Sequence, residues 1–223
     1  RQMCIRDRYG RVVAVGHVER FNPAWALACQ QPGKPLFIES ARLAPFTYRS
    51  LDVGVVFDLM IHDIDILLNL VKSDIGNIMA SGICVLSNKI DMANTRIEFT
   101  NGCVANLTAS RISQKQLRKF RIFENNKYTN IDFLNHSQET YILDKNKPKK
   151  QSPYVIVSEN QDNYISYSKS KIKSYNALTL ELNNFIDSIL NQKKPLVSAY
   201  DGLAAIEVAF KILQQINFKI INR

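Results

Sequence analysis

The 223-residue sequence lacks a long apolar run: no stretch approaches the roughly 20 residues that a helix needs to cross a bilayer. The apolar segment from Gly10 to Gly16 is too short, and wrongly flanked, for a secretory signal. Cysteine is also scarce, and none of the four forms a Cys-x-x-Cys pair. We therefore expect a cytoplasmic protein with reduced thiols and without a membrane partner.

Acidic residues are too few to balance the basic ones, and the net charge is +9. Much of the excess lies in residues 111–173, where aromatic residues do not alternate with the basic ones as a stacking platform for bases requires. Nucleic-acid binding is therefore the weaker interpretation, and we expect no nucleic-acid partner. A solvated basic surface that attracts anionic small molecules explains the charge better.

The N-terminal third alternates strand and helix patterns. Arg11–Gly16 is mostly β-branched without polar alternation, which predicts a buried strand of a parallel sheet. Asn22-Pro23 predicts a helix start, with Asn22 as N-cap, and that helix continues to about Gln31. Leu36–Leu43 predicts a strand, and Val55–Val71 a helix. A lone parallel strand cannot form a sheet, so we expect the partners of Arg11–Gly16 to lie upstream.

The remainder predicts a run of strands closed by two helices. Asn101-Gly102 is the strongest hairpin signal in the chain, and Asn125-Asn126 indicates a second hairpin. The polar stretch 161–174 predicts a loop. Strands are predicted at 75–86, 91–99, 103–110, 117–123, 128–133, 139–143 and 154–158, and apolar stripes predict helices over 178–190 and 203–216. The pattern indicates an α+β fold with an open, mainly antiparallel sheet packed by helices.

Asp58, His62 and Asp65 form the most informative local pattern, because the spacing i, i+4, i+7 places them within roughly 60° of arc on one predicted helix. Carboxylates one turn away on each side favour the imidazolium form of a histidine and fix its tautomer, as a proton-transfer group requires. Two alternatives remain open. His62 is a structural residue hydrogen-bonded to its neighbours, or the three side chains bind a metal, although no further His or Cys cluster accompanies them.

Two stretches together resemble a known family. Val15–Ala24 reads Val-Gly-His-Val-Glu-Arg-Phe-Asn-Pro-Ala, and Asp58–Asp65 reads Asp-Leu-Met-Ile-His-Asp-Ile-Asp. Both are similar to the Gfo/Idh/MocA oxidoreductases, which join an N-terminal Rossmann domain to a C-terminal α+β domain with a large open sheet. The resemblance implies that residues 9–21 are the remnant of the dinucleotide-binding domain, ending its last strand, and that 22–223 are the C-terminal substrate and oligomerisation domain. Residues 1–8 fit neither part and are expected to be a non-native leader.

The resemblance implies a catalytic dyad of Asp58 and His62, in which the histidine exchanges a proton with a sugar hydroxyl while hydride passes to or from a nicotinamide. The cofactor is expected to be NAD or NADP, held mostly by the missing N-terminal domain, and no metal is expected. Further site residues are expected at His17 and Arg20 for the cofactor and at Arg49, Arg111 and Asp65 for the substrate.

The expected function is that of an NAD(P)-dependent sugar dehydrogenase. The two stretches are most similar to members associated with surface-polysaccharide or lipid A sugar synthesis, which implies a nucleotide-sugar substrate and a UDP-N-acetylglucosamine 3-dehydrogenase activity. A homodimer or homotetramer is expected to cover the open sheet. Neither the family's Glu-Lys-Pro lysine nor a Gly-x-Gly-x-x-Gly loop occurs in the chain, so as a fragment it is expected to be inactive alone. The alternative is a non-catalytic sheet and oligomerisation module.

Overall fold

The computed structural model describes residues 10–30, 33–48, 52–144, 154–157, 164–172 and 175–221. Four α-helices occur in these ranges: α1 (Pro23–Cys29), α2 (Ile61–Val71), α3 (Ala177–Leu190) and α4 (Ala199–Ile221). A 3-10 turn, Val18–Phe21, precedes α1, and a π-helical turn, Val56–Met60, leads into α2. The nine strands are β1 (Phe37–Leu43), β2 (Ile75–Ile83), β3 (Met92–Phe99), β4 (Val104–Ser110), β5 (Leu117–Phe123), β6 (Lys127–Asp132), β7 (Ser137–Asp144), β8 (Tyr154–Val157) and β9 (Tyr164–Lys171).

All nine strands form one sheet in the order β2-β3-β4-β1-β5-β6-β7-β9-β8. Only the β1–β4 pairing among them is parallel, because the chain leaves β1, crosses over through α2, β2 and β3, and returns as β4 beside β1. The Asn101-Gly102 turn joins β3 to β4, and Gly102 has φ 87°, a conformation that glycine adopts without strain. The predicted α+β fold with an open, mainly antiparallel sheet is confirmed.

The core lies between one face of the sheet and helices α2 and α4. Met60, Ile64, Leu67 and Val71 are buried and form the apolar side of an amphipathic helix. Helix α4 packs against both β2 and α2 and completes this layer. The arrangement fixes the N-terminal turn of α2 against the edge of the core, and that turn carries His62.

The predicted loop at 161–174 is wrong for the part that the structure describes, because Tyr164–Lys171 is strand β9. Its backbone pairs with β7 on one side and β8 on the other. None of the described side chains of β9 is buried, so an apolar alternation was not required. Backbone pairing on both sides holds a polar segment in the sheet here.

The segment Arg11–Gly16 is not paired along its length within the described residues, and its pairing with upstream strands stays a prediction. Within the described residues its backbone meets a neighbour only near Ala14, which bridges Ser198, and at Val15, whose N–H donates to the carbonyl of Val197. A strand requires pairing along its length, and two isolated contacts do not supply it. In the described part of the chain the segment is an extended connection that runs beside the start of α4.

Candidate functional site

The helix that carries His62 begins irregularly. The N–H of Val55 donates to the carbonyl of Ile90. The N–H groups of Phe57 and Asp58 both donate to the carbonyl of Gly54. The chain then makes a π-helical turn before it continues as α2. Such turns occur preferentially at functional sites. Asp58 lies within this turn, half-buried, one turn before His62.

His62 lies against a second histidine. The rings of His17 and His62 meet edge to face, with centroids 5.9 Å apart and an interplanar angle of 88°. His62 Nδ1 is buried and has no hydrogen-bond partner among the described residues. Burial, with a smaller contribution from the Arg42 guanidinium, lowers the pKa of His62 to about 4. The imidazole is therefore neutral at neutral pH, and the expected preference for the imidazolium is wrong.

The carboxylate next to His62 is bound elsewhere. Arg42 donates to both oxygens of Asp63, with Nε–Oδ2 at 3.0 Å and Nη2–Oδ1 at 2.8 Å. The same guanidinium donates to Glu19 at 2.9 Å, and Arg118 adds a longer contact to Glu19 at 3.3 Å. Although burial opposes ionisation, Arg42 holds the pKa of Glu19 below its usual value. These groups pair their charges inside the core, as buried ions must.

Asp65 has a matching partner. Arg20 donates to its two oxygens at 2.8 and 3.2 Å and reaches Asp201 on α4 at 3.3 Å. Arg20 and Asp65 are almost completely buried. This pair ties the 3-10 turn to α2 and to the start of α4. Arg20, predicted to bind the cofactor, and Asp65, predicted to bind substrate, are therefore each occupied by the other.

Asp58 is the carboxylate of this helix turn that stays available. In the described part of the chain, no hydrogen bond or ion pair joins the Asp58 carboxylate to another residue, and none joins it to His62. The structure thus brings Asp58, His62 and His17 to the N-terminal end of α2. It leaves one accessible carboxylate beside one neutral imidazole, the components of a proton-transfer site.

Arg111 lies in a separate network at the end of β4. It donates to Asp91 at 2.8 Å, to the Val53 carbonyl at 2.8 Å and to the Ser87 hydroxyl at 2.9 Å. Asp91 is fully buried and accepts from the backbone N–H groups of Val85, Leu86 and Ser87. Burial disfavours its charge, but these donors and Arg111 hold the pKa of Asp91 far below the usual range. Arg49, the third predicted substrate residue, lies outside the described residues.

Sequence reasoning missed Glu19, Arg42 and Asp91. A pattern for Arg42 was present: Ile38, Ser40 and Arg42 alternate on the core face of β1, and an arginine there needs a buried anion. Its partners lie 21 and 23 residues away from it along the chain, so spacing did not identify them.

The sequence predicts neither a metal nor a membrane partner. Within the ranges that the structure describes, no cluster of three His, Cys, Asp or Glu side chains suits a metal ion. No helix in the described ranges has the length and apolarity to span a membrane.

Comparisons with known proteins match the chain to one family. The model of the GFO/IDH/MocA C-terminal domain matches residues 11–126, more than half of the chain. UDP-N-acetylglucosamine 3-dehydrogenase of Acidithiobacillus ferrooxidans is 42% identical over 131 residues, which cover 58% of this chain and 42% of that protein. Scyllo-inositol 2-dehydrogenase (NAD(+)) of Bacillus subtilis strain 168 is 27% identical over 217 residues, which cover 89% of this chain and 58% of that protein.

A solved structure agrees with the sequence comparison. A crystal form of the Acidithiobacillus ferrooxidans UDP-N-acetylglucosamine 3-dehydrogenase superposes with a TM-score of 0.84 and 29% identity, covering 96% of this chain and 65% of that one. The chain spans about half the length of the curated relatives that it matches.

Proposed function

The chain belongs to the GFO/IDH/MocA family, and on that premise we propose that it supplies the proton-transfer half of a nicotinamide-dependent sugar dehydrogenase. The observation that carries the proposal is the neutral imidazole of His62, one helical turn from the carboxylate of Asp58, which has no partner among the described residues. A general base must be unprotonated at the working pH. Burial keeps the pKa of His62 low enough for that role.

The proposed chemistry assigns one step to each side chain. Oxidation of a sugar alcohol removes a hydride from carbon and a proton from oxygen. Because Nδ1 of His62 is buried, Nε2 is the nitrogen that receives the hydroxyl proton. Asp58 orients the hydroxyl and stabilises the imidazolium as it forms. In the reverse direction the imidazolium returns the proton to the alkoxide that hydride addition creates.

The described residues do not form a dinucleotide site by themselves. The sequence has no glycine-rich phosphate loop, and the guanidinium of Arg20, a predicted cofactor ligand, is paired with Asp65 and Asp201. A nicotinamide, when bound, supplies the hydride acceptor. We propose that a domain outside this chain holds NAD or NADP.

We propose a nucleotide-linked sugar as substrate, as in surface-polysaccharide or lipid A sugar synthesis. Support comes from the 42% identity to a UDP-N-acetylglucosamine 3-dehydrogenase, and the net charge of +9 suits a diphosphate. Asp65 and Arg111, which already have buried partners, receive no substrate contact in this proposal. The proposed location is the cytoplasm, which agrees with the free thiols of Cys29, Cys84 and Cys103.

We propose a homodimer that packs two open sheet faces together. One row across the open face reads Glu39, Arg121, Asn130, Glu139 and Lys169 in neighbouring strands. A two-fold axis parallel to the strands at Asn130 sets Glu139 against Arg121 of the second copy and Lys169 against its Glu39. Opposite charges then meet at four positions. Asn130 lies on this axis, so its side-chain amide faces the same amide of the second copy.

The experiment compares the chain alone with the same chain joined to the dinucleotide-binding half of its own gene product. We expect no NADH binding by calorimetry for the chain alone. The joined protein is expected to bind NADH and to oxidise UDP-N-acetylglucosamine with NAD⁺ or NADP⁺. Cofactor binding without turnover of any nucleotide sugar would instead support the non-catalytic sheet module.

A further inference from the structure

His17 packs against His62 from a different part of the chain. It precedes the 3-10 turn Val18–Phe21, whereas His62 lies in the first turn of α2. Two backbone hydrogen bonds hold His17 in place: its N–H donates to the Val15 carbonyl at 2.9 Å, and its carbonyl accepts from Arg20 N–H at 3.0 Å. Only 5% of the residue is exposed. His17 is therefore a buried residue with a fixed backbone, and its ring packs against the imidazole of His62.

Among the described residues, no carboxylate accepts a hydrogen bond from the buried Nδ1 of His62. Histidines in proton-transfer sites generally donate one ring N–H to a carboxylate that fixes the tautomer. Here Asp63 is bound by Arg42, and Asp65 by Arg20. His62 Nδ1 accordingly has no hydrogen-bond partner among the described residues. His17 packs edge to face against this ring at 5.9 Å between centroids, a favoured geometry for aromatic pairs.

We propose that His17 is the positioning residue for His62: its ring, rather than a carboxylate, fixes the orientation of the His62 imidazole and excludes water from the Nδ1 side. This inference rests on the proposed function of His62 as the base. It also gives His17 a role other than the cofactor contact expected from the sequence. His17 itself touches no reacting atom in this account.

The charged surroundings agree with such a role. Burial lowers the pKa of His62 most; Arg42 on β1 and His17 lower it further, whereas Asp63 on α2 and Glu19 on the 3-10 turn raise it. For His17, burial likewise lowers the pKa most. The nearby Asp65 and Asp201 oppose that effect, and Arg20 adds to it. Two neutral imidazoles therefore face each other at neutral pH, and water admitted beside either ring favours its protonation.

Proton NMR of the chain tests the proposal directly, because the chain has only three histidines. The third, His136, lies in the β6–β7 turn, and His136→Gln assigns its resonance and serves as the control. In the wild type we expect His62 to remain neutral down to about pH 5, in one tautomer. His17→Phe keeps a buried ring and removes only the small charge contribution of His17, so it should raise the His62 midpoint only slightly. His17→Ala should raise it by about one unit or more, as the site hydrates.

Two results would overturn the proposal. One is a wild-type His62 that titrates near its ordinary pKa or exchanges between tautomers, a measurement that needs no substitution. The other is a folded His17→Ala variant whose His62 midpoint is unchanged. In the joined dehydrogenase, the acid limb of kcat/KM should move to higher pH in His17→Ala but only slightly in His17→Phe. If His62 is not the base, substitutions at His62 and His17 should leave turnover unchanged. The NMR titration would still show whether His17 sets the pKa of His62, so the two failures are distinguishable.

Discussion

Arg42 donates to both carboxylate oxygens of Asp63, the residue that directly follows His62, at 2.8 and 3.0 Å. The pair fixes the first turn of α2 to β1 in the middle of the sheet. It also removes the adjacent carboxylate from reach of the imidazole. The N-terminal end of α2 is thus held by ion pairs, and its histidine is left neutral.

We expect loss of one partner of this pair to destabilise the fold strongly. Arg42→Leu leaves the buried Asp63 without its cation and Glu19 with only the longer contact to Arg118, and the free energy of unfolding should fall by about 3–5 kcal/mol. Urea denaturation of the chain measures this change. Lys193→Leu, which breaks the exposed contact to Asp187, is the matched control and should cost about 1 kcal/mol or less. Equal losses for the two variants would contradict the account.

Asp91 should contribute as much as Arg42 to the free energy of unfolding, although it belongs to a network separate from His62. Asp91→Ala removes the acceptor for three backbone N–H groups and leaves Arg111 without its anion. We expect a loss of about 3–5 kcal/mol in the free energy of unfolding. Ser87→Ala, which removes one hydroxyl from the same network, should cost only about 1 kcal/mol. A tolerated Asp91→Ala would show that the network is not needed for the β2–β3 turn.

Stability should depend on pH through His62. Its pKa is about 4 in the folded chain and 6.5 in the unfolded chain, so between these values the unfolded state binds more protons. The contribution of the neutral, buried His62 to the free energy of unfolding is therefore complete above pH 6.5 and is lost as the pH falls towards 4. We expect a decrease of about 3 kcal/mol over this interval, measured by urea denaturation at several pH values. In His62→Asn the slope should be smaller, and an unchanged slope would assign it to other groups.

The sheet-face dimer predicts a charge-reversal experiment. Glu139→Arg places like charges against Arg121 of the second copy and should convert a dimer into a monomer in light-scattering measurements. Adding Arg121→Glu reverses both members of the contact and should restore the dimer. Lys34→Glu, away from the charged row, is the control. A chain that is monomeric at all concentrations, or a double variant that stays monomeric, contradicts the arrangement.

Local patterns predicted most of the fold, because helices and hairpins depend on neighbours in sequence. The apolar side of α2, the N-cap of α1 at Asn22 and the Asn101-Gly102 turn are examples. Strand β9 escaped prediction because its pairing, not its apolarity, holds it in the sheet.

The site was predicted less completely, since its electrostatics come from distant residues. Spacing identified Asp58 and His62 as neighbours on one helix. It suggested that carboxylates would charge the imidazole, whereas Arg20 binds Asp65 from 45 residues away. Only the tertiary structure reveals that the nearby anions are already paired, and that burial therefore determines the protonation of His62.

The central claim is that His62 is the proton acceptor of a sugar dehydrogenase. The most direct measurement is kcat for NAD(P)⁺-dependent oxidation of UDP-N-acetylglucosamine by the protein that carries both halves, with His62→Asn compared against wild type and against His136→Asn as a control. We predict that His62→Asn lowers kcat by at least about a hundredfold with little change in KM, while His136→Asn stays near wild type. A His62→Asn enzyme with near-wild-type kcat would contradict the account.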